Sequence, residues 1–300
     1  MVAAAATGVQ VGASIVASRF VIDQTAPASL ALLRYAIGVC CLGPVALLAP
    51  RVRFERRDLA PIAVLGIVQF GVLIALLNYG VRFVPSGRAA LIFALFPLLT
   101  MLIAAALDHE RLTRAKSAGV LLTIAGVALA LGERVLAPGS GGHAWLGELA
   151  VFAAASCGAV CSVLYRPYLQ KYPVLRVSAF AMLASVGFLA LLAIPEGFFD
   201  RLPHFTGAGW AAVLFIGVGS GAFYFVWLWA LRHNTPTRAS AFQTLSPLTA
   251  ALLGAVLLGE PVTPGLLAGL ACVVLGLWIA HWPEPVRADD RIDTAPRAGD

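Results

Sequence analysis

RASAFQTLSPLTAALLGAVLLGE, residues 238–260, is long and oily enough to cross a bilayer, yet its first half carries Ser240, Gln243, Thr244, Ser246 and Pro247. RAALIFALFPLLTMLIAAALDHE, residues 88–110, sets out the same plan 150 positions earlier, with its arginine, proline and glutamate in the same places. An ungapped alignment of residues 80–130 with 230–280 pairs Arg82 with Arg232, Arg88 with Arg238, Pro97 with Pro247, Glu110 with Glu260, Thr113 with Thr263, Gly119 with Gly269 and Gly126 with Gly276. Hydrophobic bias alone does not readily produce matches at Arg, Pro, Glu and Gly, so the two segments read as copies of one repeat.

The bulk composition sets the solvent of that repeat. Of the 300 residues 60% are hydrophobic and 12% charged, with a mean hydropathy of +0.88, whereas soluble domains are roughly a quarter charged. One soluble core could not hide that much apolar surface, and a spanning helix needs about 20 apolar residues. Ten such runs occur, at 2–22, 28–49, 59–79, 88–107, 115–132, 145–166, 176–194, 208–231, 237–258 and 264–282. The expected fold is an all-α polytopic membrane protein of ten transmembrane helices. The first run lacks a basic flank and reads as a span rather than a signal peptide.

Five helices per copy is an odd number, so the second copy enters the membrane from the opposite side, and the halves are expected to be inverted repeats. Residues 1–137 form the first half, the Gly-rich stretch 138–144 a linker, 145–282 the second half, and the charged, Pro-rich 283–300 a disordered cytoplasmic tail. With a cytoplasmic N-terminus, fifteen Lys and Arg fall on the inner side and five on the outer, Arg34 lying inside the second run. The positive-inside rule therefore places both termini in the cytoplasm. Lys116 and Lys171 are the only lysines among 21 basic residues, an arginine bias that points to a GC-rich bacterial genome and hence to the bacterial inner (cytoplasmic) membrane.

Three stretches carry a family resemblance. PLTAALLGAVLLGEPVTPGLLAGLACVVLGLWIA (247–280), its counterpart FPLLTMLIAAALDHERLTRAKSAGVLLTIAGVAL (96–129) and PASLALLRYAIG (27–38) resemble EamA-type proteins of the drug/metabolite transporter superfamily, and within it most resemble the YddG-type exporters of aromatic amino acids. The resemblance implies ten helices, cytoplasmic termini and export of small metabolites. Inverted repeats also belong to secondary transporters on general grounds, with substrate bound near the midplane between the halves.

Polar groups inside a membrane face a partner or a wet cavity. Gln243 and Ser246 share a face of the ninth run, and Phe93 and Phe96 hold the matching positions of the fourth. Gln10 and Ser14 lie four apart in the first run; Gln69 and Tyr79 are assigned to one face of the third, Phe223 and Trp227 to one face of the eighth. Together these ten are the expected substrate-binding residues, suited to a molecule with a polar end and an aromatic or apolar body. Pro97 and Pro247 are expected to kink their helices, as gates or as fixed bends. Arg88 and Arg238 open their helices as snorkelling anchors or gate residues. Glu110 and Glu260 read as helix-turn fixtures that accept backbone N–H groups of the following helix, with Thr263 its N-cap. Arg34 is expected to pair with backbone or a helix end.

Several function classes are excluded or disfavoured. The net charge of +6 is spread over short loops and does not indicate nucleic acid. Cys40, Cys41, Cys157, Cys161 and Cys272 lie in apolar runs without metal-ligand spacing, so no metal or cofactor is expected. No HExxH motif or convergent Ser, His and Asp set marks an enzyme, and no P-loop marks direct use of ATP. No Asp or Glu sits mid-helix, which favours a facilitator (uniport) over a proton-coupled exporter of other metabolites or drugs; a passive channel is the remaining alternative. The expected partners are a small-molecule substrate and the lipid bilayer, with no obligate protein partner indicated.

Overall fold

A computed structural model describes residues 2–48, 53–107, 114–135, 144–200, 203–233 and 245–280, and regular structure among them is entirely helical. The helices are α1 (Val2–Val21), α2 (Pro27–Leu48), α3 (Arg56–Phe83), α4 (Ser86–Ala106), α5 (Arg114–Val135), α6 (Ala144–Leu164), α7 (Val174–Ala193), α8 (Gly207–His233), α9 (Leu245–Leu258) and α10 (Pro264–Ala280). A short helix, Arg166–Lys171, links α6 to α7. Seven helical segments, within α2 to α8, are long and apolar enough to cross a membrane; the described parts of α9 and α10 are shorter and apolar. The linker 138–144 lies almost wholly, and the tail 283–300 entirely, outside the described residues.

The outer surface is greasy. Leu47, Leu48, Leu121, Val256, Leu257 and Trp278 all point outward and exposed, a burden in water but the natural contact for lipid. Inside, several hydroxyls are satisfied within their own helices. Thr100, Thr123, Ser162 and Ser178 each donate to the carbonyl four residues back, at 2.7–2.9 Å, so a polar residue in an apolar helix need not seek a ligand.

Packing links the two halves at many points. The helix α1 packs on α8 and α9, and α6 packs on α3 and α4. Likewise α8 packs on α2 and α3 packs on α7, while α2 meets α7, α4 meets α9 and α5 meets α10. The α5–α10 seam is a backbone contact. A Cβ on Gly126 would stand 2.8 Å from the Gly269 carbonyl oxygen, and one on Gly276 2.6 Å from that of Gly119. Only glycine permits such an approach, and the sequence alignment pairs these same glycines, 119 with 269 and 126 with 276.

Helices α3 and α4 are both interrupted midway. A π-helical stretch, Ile67–Val72, divides α3, and such turns re-aim the residues on them. In α4 the α-helical pattern breaks at Ala94 and Leu95, just before Pro97, whose missing donor falls in the first turn of the new segment Phe96–Ala106. Pro247 lies in the first turn of the described part of α9.

Carboxylates clamp the ends. Glu196, after α7, accepts the N–H groups of Ala28 at 3.0 Å and Ser29 at 2.7 Å, and the Ser29 hydroxyl at 2.7 Å. It thereby caps α2, whose first turn has no internal acceptor for those donors. Glu260 treats α4 in the same way, accepting from Ser86 N–H at 2.9 Å, the Ser86 hydroxyl, and Gly87 N–H at 3.5 Å. It reaches back because Gly259, at φ +65°, turns the chain left-handed after α9. Glu260 is therefore a cap, but for α4 of the other half and not for the following α10. Thr263 caps α10 as expected, its hydroxyl accepting from Leu266 N–H at 3.2 Å. Glu110 lies outside the described residues.

Near the start of α7, Lys171 Nζ lies 2.6 Å from both Glu55 and Asp58, and the Tyr172 hydroxyl donates to Asp58 at 2.6 Å. The Lys171 hydrogen bond holds Glu55 below the ordinary carboxylate value, and bonds to Asp58 and then Glu55 raise Lys171 above the ordinary amine value. A lowered carboxylate stabilises above its unfolded pKa and ceases to do so as pH falls through the folded one; a raised amine does the reverse on the alkaline side. Lys171→Met should therefore lower the Tm slightly at pH 7, with the gap to the wild type closing below roughly pH 4. Thermal unfolding in detergent across pH checks this; a gap that does not narrow as the pH is lowered through the carboxylate range contradicts it.

Candidate functional site

One internal cavity lies within the central turns of α1, α2, α3, α4 and α8, and measures about 120 Å³, space for on the order of ten waters. The other large recess, between α4, α5 and α6, is lined by Leu95, Leu98, Leu99, Val120, Ile124 and similar residues and offers no polar group. That makes it lipid-facing packing space, and the first cavity the candidate site.

Its wall is built in two characters. Its polar part comprises Thr7, Gln10 and Ser14 of α1, Arg34 of α2, Gln69 of α3 and Ser220 of α8. Gln10 Nε2 donates to Ser14 Oγ at 3.2 Å. Its amide lies over Gly219, where a Cβ would stand only 1.9 Å from Nε2, so the bare glycine makes room for Gln10. Arg34 Nε donates to Ser220 Oγ, and the guanidinium lies 5.8 Å from the Tyr35 ring centre. The Gln69 side-chain oxygen is buried without a hydrogen-bond partner, which in an apolar interior calls for water or a ligand, whereas the Tyr224 hydroxyl faces that of Tyr165.

The rest is apolar, the aliphatic side chains of Val11, Ile15, Leu73, Ile74 and Leu77 and a larger set of rings. Tyr35 meets Phe70 edge-on with centroids 5.0 Å apart, and Phe70 meets Tyr224 at 4.0 Å. Phe93 stacks on Phe96 at 5.8 Å and 12°, and Phe96 touches Trp227 at 5.7 Å. The break before Pro97 positions this last group: it turns the chain just where Phe93 and Phe96 face inward. No Asp or Glu lines the cavity among the described residues.

Of the ten residues expected to bind substrate, seven line the cavity: Gln10, Ser14, Gln69, Phe93, Phe96, Phe223 and Trp227. Tyr79 does not. It is 36% exposed and packs on Phe83, because it follows the cavity residue Leu77 by two positions, about 200° around the helix. Ser246 is buried but lies beneath α1, its carbonyl oxygen against Gly12, and is absent from the described lining. Gln243 and Arg238 lie outside the described residues. Arg88 is no snorkelling anchor: its side chain is 16% exposed and pairs with Glu148 of α6 at 3.7 Å. Arg34 and the rings of Tyr35, Phe70 and Tyr224 were not among the expected site residues. Arg34 pairs with a serine side chain inside the cavity and not with a helix end. The available signal was a charge buried inside an apolar run. Helix α6 is absent from the lining and α2 is present, so the cavity is less symmetric than the repeat suggests.

Comparison with known proteins fits this picture. The sequence profile of the EamA-like transporter family matches residues 1–132 and again 145–282. An uncharacterized transporter of Archaeoglobus fulgidus is 27% identical, over 89% of this chain and 93% of its own. A protein of Streptantibioticus cattleyicolor named "Probable terminal-alkyne amino-acid exporter" is 32% identical, over 88% and 87%. The aromatic amino acid exporter YddG of Ancylobacter novellus is 29% identical, over 65% and 66%. A crystal structure of a protein 24% identical in sequence superposes with a TM-score of 0.69, covering 93% of this chain and 95% of that one, which shows a shared fold. The chain belongs to the EamA-like transporter family; it is a multi-pass membrane transporter and not an enzyme.

Proposed function

We propose that this chain exports small metabolites, amino acids including aromatic ones, across the bacterial inner membrane by alternating access, as a facilitator. The observation that carries this reading is the cavity. It lies in the central turns of the helices, offers both polar groups and aromatic rings, and holds no described carboxylate that could carry a proton with the substrate. The names of two relatives, one an exporter of aromatic amino acids, agree with that chemistry.

Ten spans in two inverted repeats are part of the proposal. Exchanging the halves turns α1 on α8 and α9 into α6 on α3 and α4, turns α2 on α8 into α7 on α3, and leaves the α2–α7, α4–α9 and α5–α10 pairs in place. The two family matches divide the chain in the same way. The half boundaries are 1–137 and 145–282, and both termini are cytoplasmic by the arginine and lysine distribution. Glu196 and Glu260 then cap on the outer side and the Lys171 cluster closes the inner side. Gln243 keeps its proposed place at the cavity, and the break before Pro97 is the point at which α4 bends.

Uptake of labelled tryptophan or phenylalanine into proteoliposomes, with and without a pH gradient, tests this. Saturable uptake indifferent to the gradient is expected. Uptake driven by the gradient would replace the facilitator with a proton-coupled carrier, and a large non-saturating flux would mean a channel. No uptake of either, with other amino acids moving, would remove the aromatic substrates.

A further inference from the structure

The Arg34 guanidinium has five N–H donors, and among the described residues only its Nε–H finds an acceptor, on Ser220. No described carboxylate lines the cavity to balance its charge. An uncompensated cation in the interior of a membrane protein is costly and marks a functional site. We infer that Arg34 is the anion-binding residue of the cavity and takes the carboxylate of the transported molecule.

The surroundings define the rest of that molecule. A guanidinium presents two parallel N–H groups that match a carboxylate in bidentate geometry. The buried, unpartnered Gln69 oxygen and the ring faces of Tyr35 and Tyr224 offer acceptors for an ammonium group, through a hydrogen bond and cation–π attraction. Along α8, Trp227 lies seven residues beyond Ser220, about 10 Å at the helical rise. Phe96 lies beside Trp227, and Phe93 beside Phe96. A carboxylate at Arg34, an ammonium near Gln69 and an aromatic body against Phe96 and Trp227 together describe an aromatic α-amino acid held lengthwise. A second phosphate-binding cation is absent from the described lining, so the anion is a carboxylate in preference to a phosphate.

This inference rests on the transport reading above, and the test separates the two. The full-length protein in detergent is titrated with L-phenylalanine, with 3-phenylpropionate, which lacks the ammonium, and with 2-phenylethylamine, which lacks the carboxylate; the readout is thermal stabilisation, which reports Kd by linkage. The wild type should bind both carboxylates more tightly than the amine. Arg34→Gln should weaken the carboxylates roughly 10- to 100-fold and leave the amine unchanged or tighter, so a general loss of fold is distinguished from loss of the anion site. Arg34→Lys should recover part of the carboxylate affinity, and Ser220→Ala should retain the preference. Should Arg34→Gln not accumulate, the wild-type ranking and Arg34→Lys still decide the matter. Equal binding of all three probes, or an Arg34→Gln protein that keeps its preference for carboxylates, overturns the assignment while leaving the transporter intact. No stabilisation by any probe removes the aromatic substrate class and the assignment with it.

Discussion

A leucine at position 219 should stop transport while leaving the protein folded. Gly219 borders the cavity on α8, and the nearest atom to an added Cβ is the far end of Gln10, a flexible side chain. The backbone of α8 therefore need not move. Gln10 is displaced and breaks from Ser14, and the isobutyl group takes up the space between Gln10 and Phe223. Both the polar pole and the free volume are lost at once. Transport should fall by roughly 100-fold, the scale on which misplacing a positioning group acts, with the Tm within about 2 °C of wild type because no core void or overpacked backbone results. Proteoliposome uptake beside thermal unfolding measures both. Near-normal uptake in Gly219→Leu would show that substrate passes elsewhere.

Glu260→Ala should do the opposite and act on stability first. The carboxylate is the acceptor for two backbone donors and one hydroxyl at the start of α4, on a segment buried between α9 and α10. Removing it leaves those donors without a partner, at about 2–4 kcal/mol, or a fall in Tm of several degrees for a chain of this size. Glu260→Gln keeps one acceptor oxygen and should lose no more than about half as much. An alanine variant as stable as the wild type would show that solvent, or a shifted chain, satisfies α4 equally well.

Which parts of this were legible in the sequence follows from where the information lies. Gln10, Phe93, Phe96, Phe223 and Trp227 could be placed in the cavity because helical spacing relates them to neighbours on the same face. Arg34 and Tyr35 could not, because α2 is apolar on every side and its periodicity carries no phase. Tyr79 was misplaced because a ten-residue separation across a π-helical stretch does not preserve a face. The partner of Glu260 was missed since Ser86 lies 174 residues away, and no local pattern encodes a contact between halves. Arg88 looked like an interface anchor from its position at a helix start; only the approach of α6 brings Glu148 to it. The proposed repeat rests on arginine, proline, glutamate and glycine recurring at fixed offsets within otherwise interchangeable aliphatic sequence.

The glycine seam between α5 and α10 has a bearing on how the protein is made. Its two sides are separated by nearly the whole second half of the chain, so α5 is made well before α10. Until then α5 stands in the bilayer with Gly119 and Gly126 uncovered, presenting a narrow groove that lipid tails fill poorly. A chain halted after the first half therefore ends on an unclosed surface that another small-residue helix can occupy. The arrival of α10, and not insertion of the first five helices, is therefore the step that commits α5 to its place.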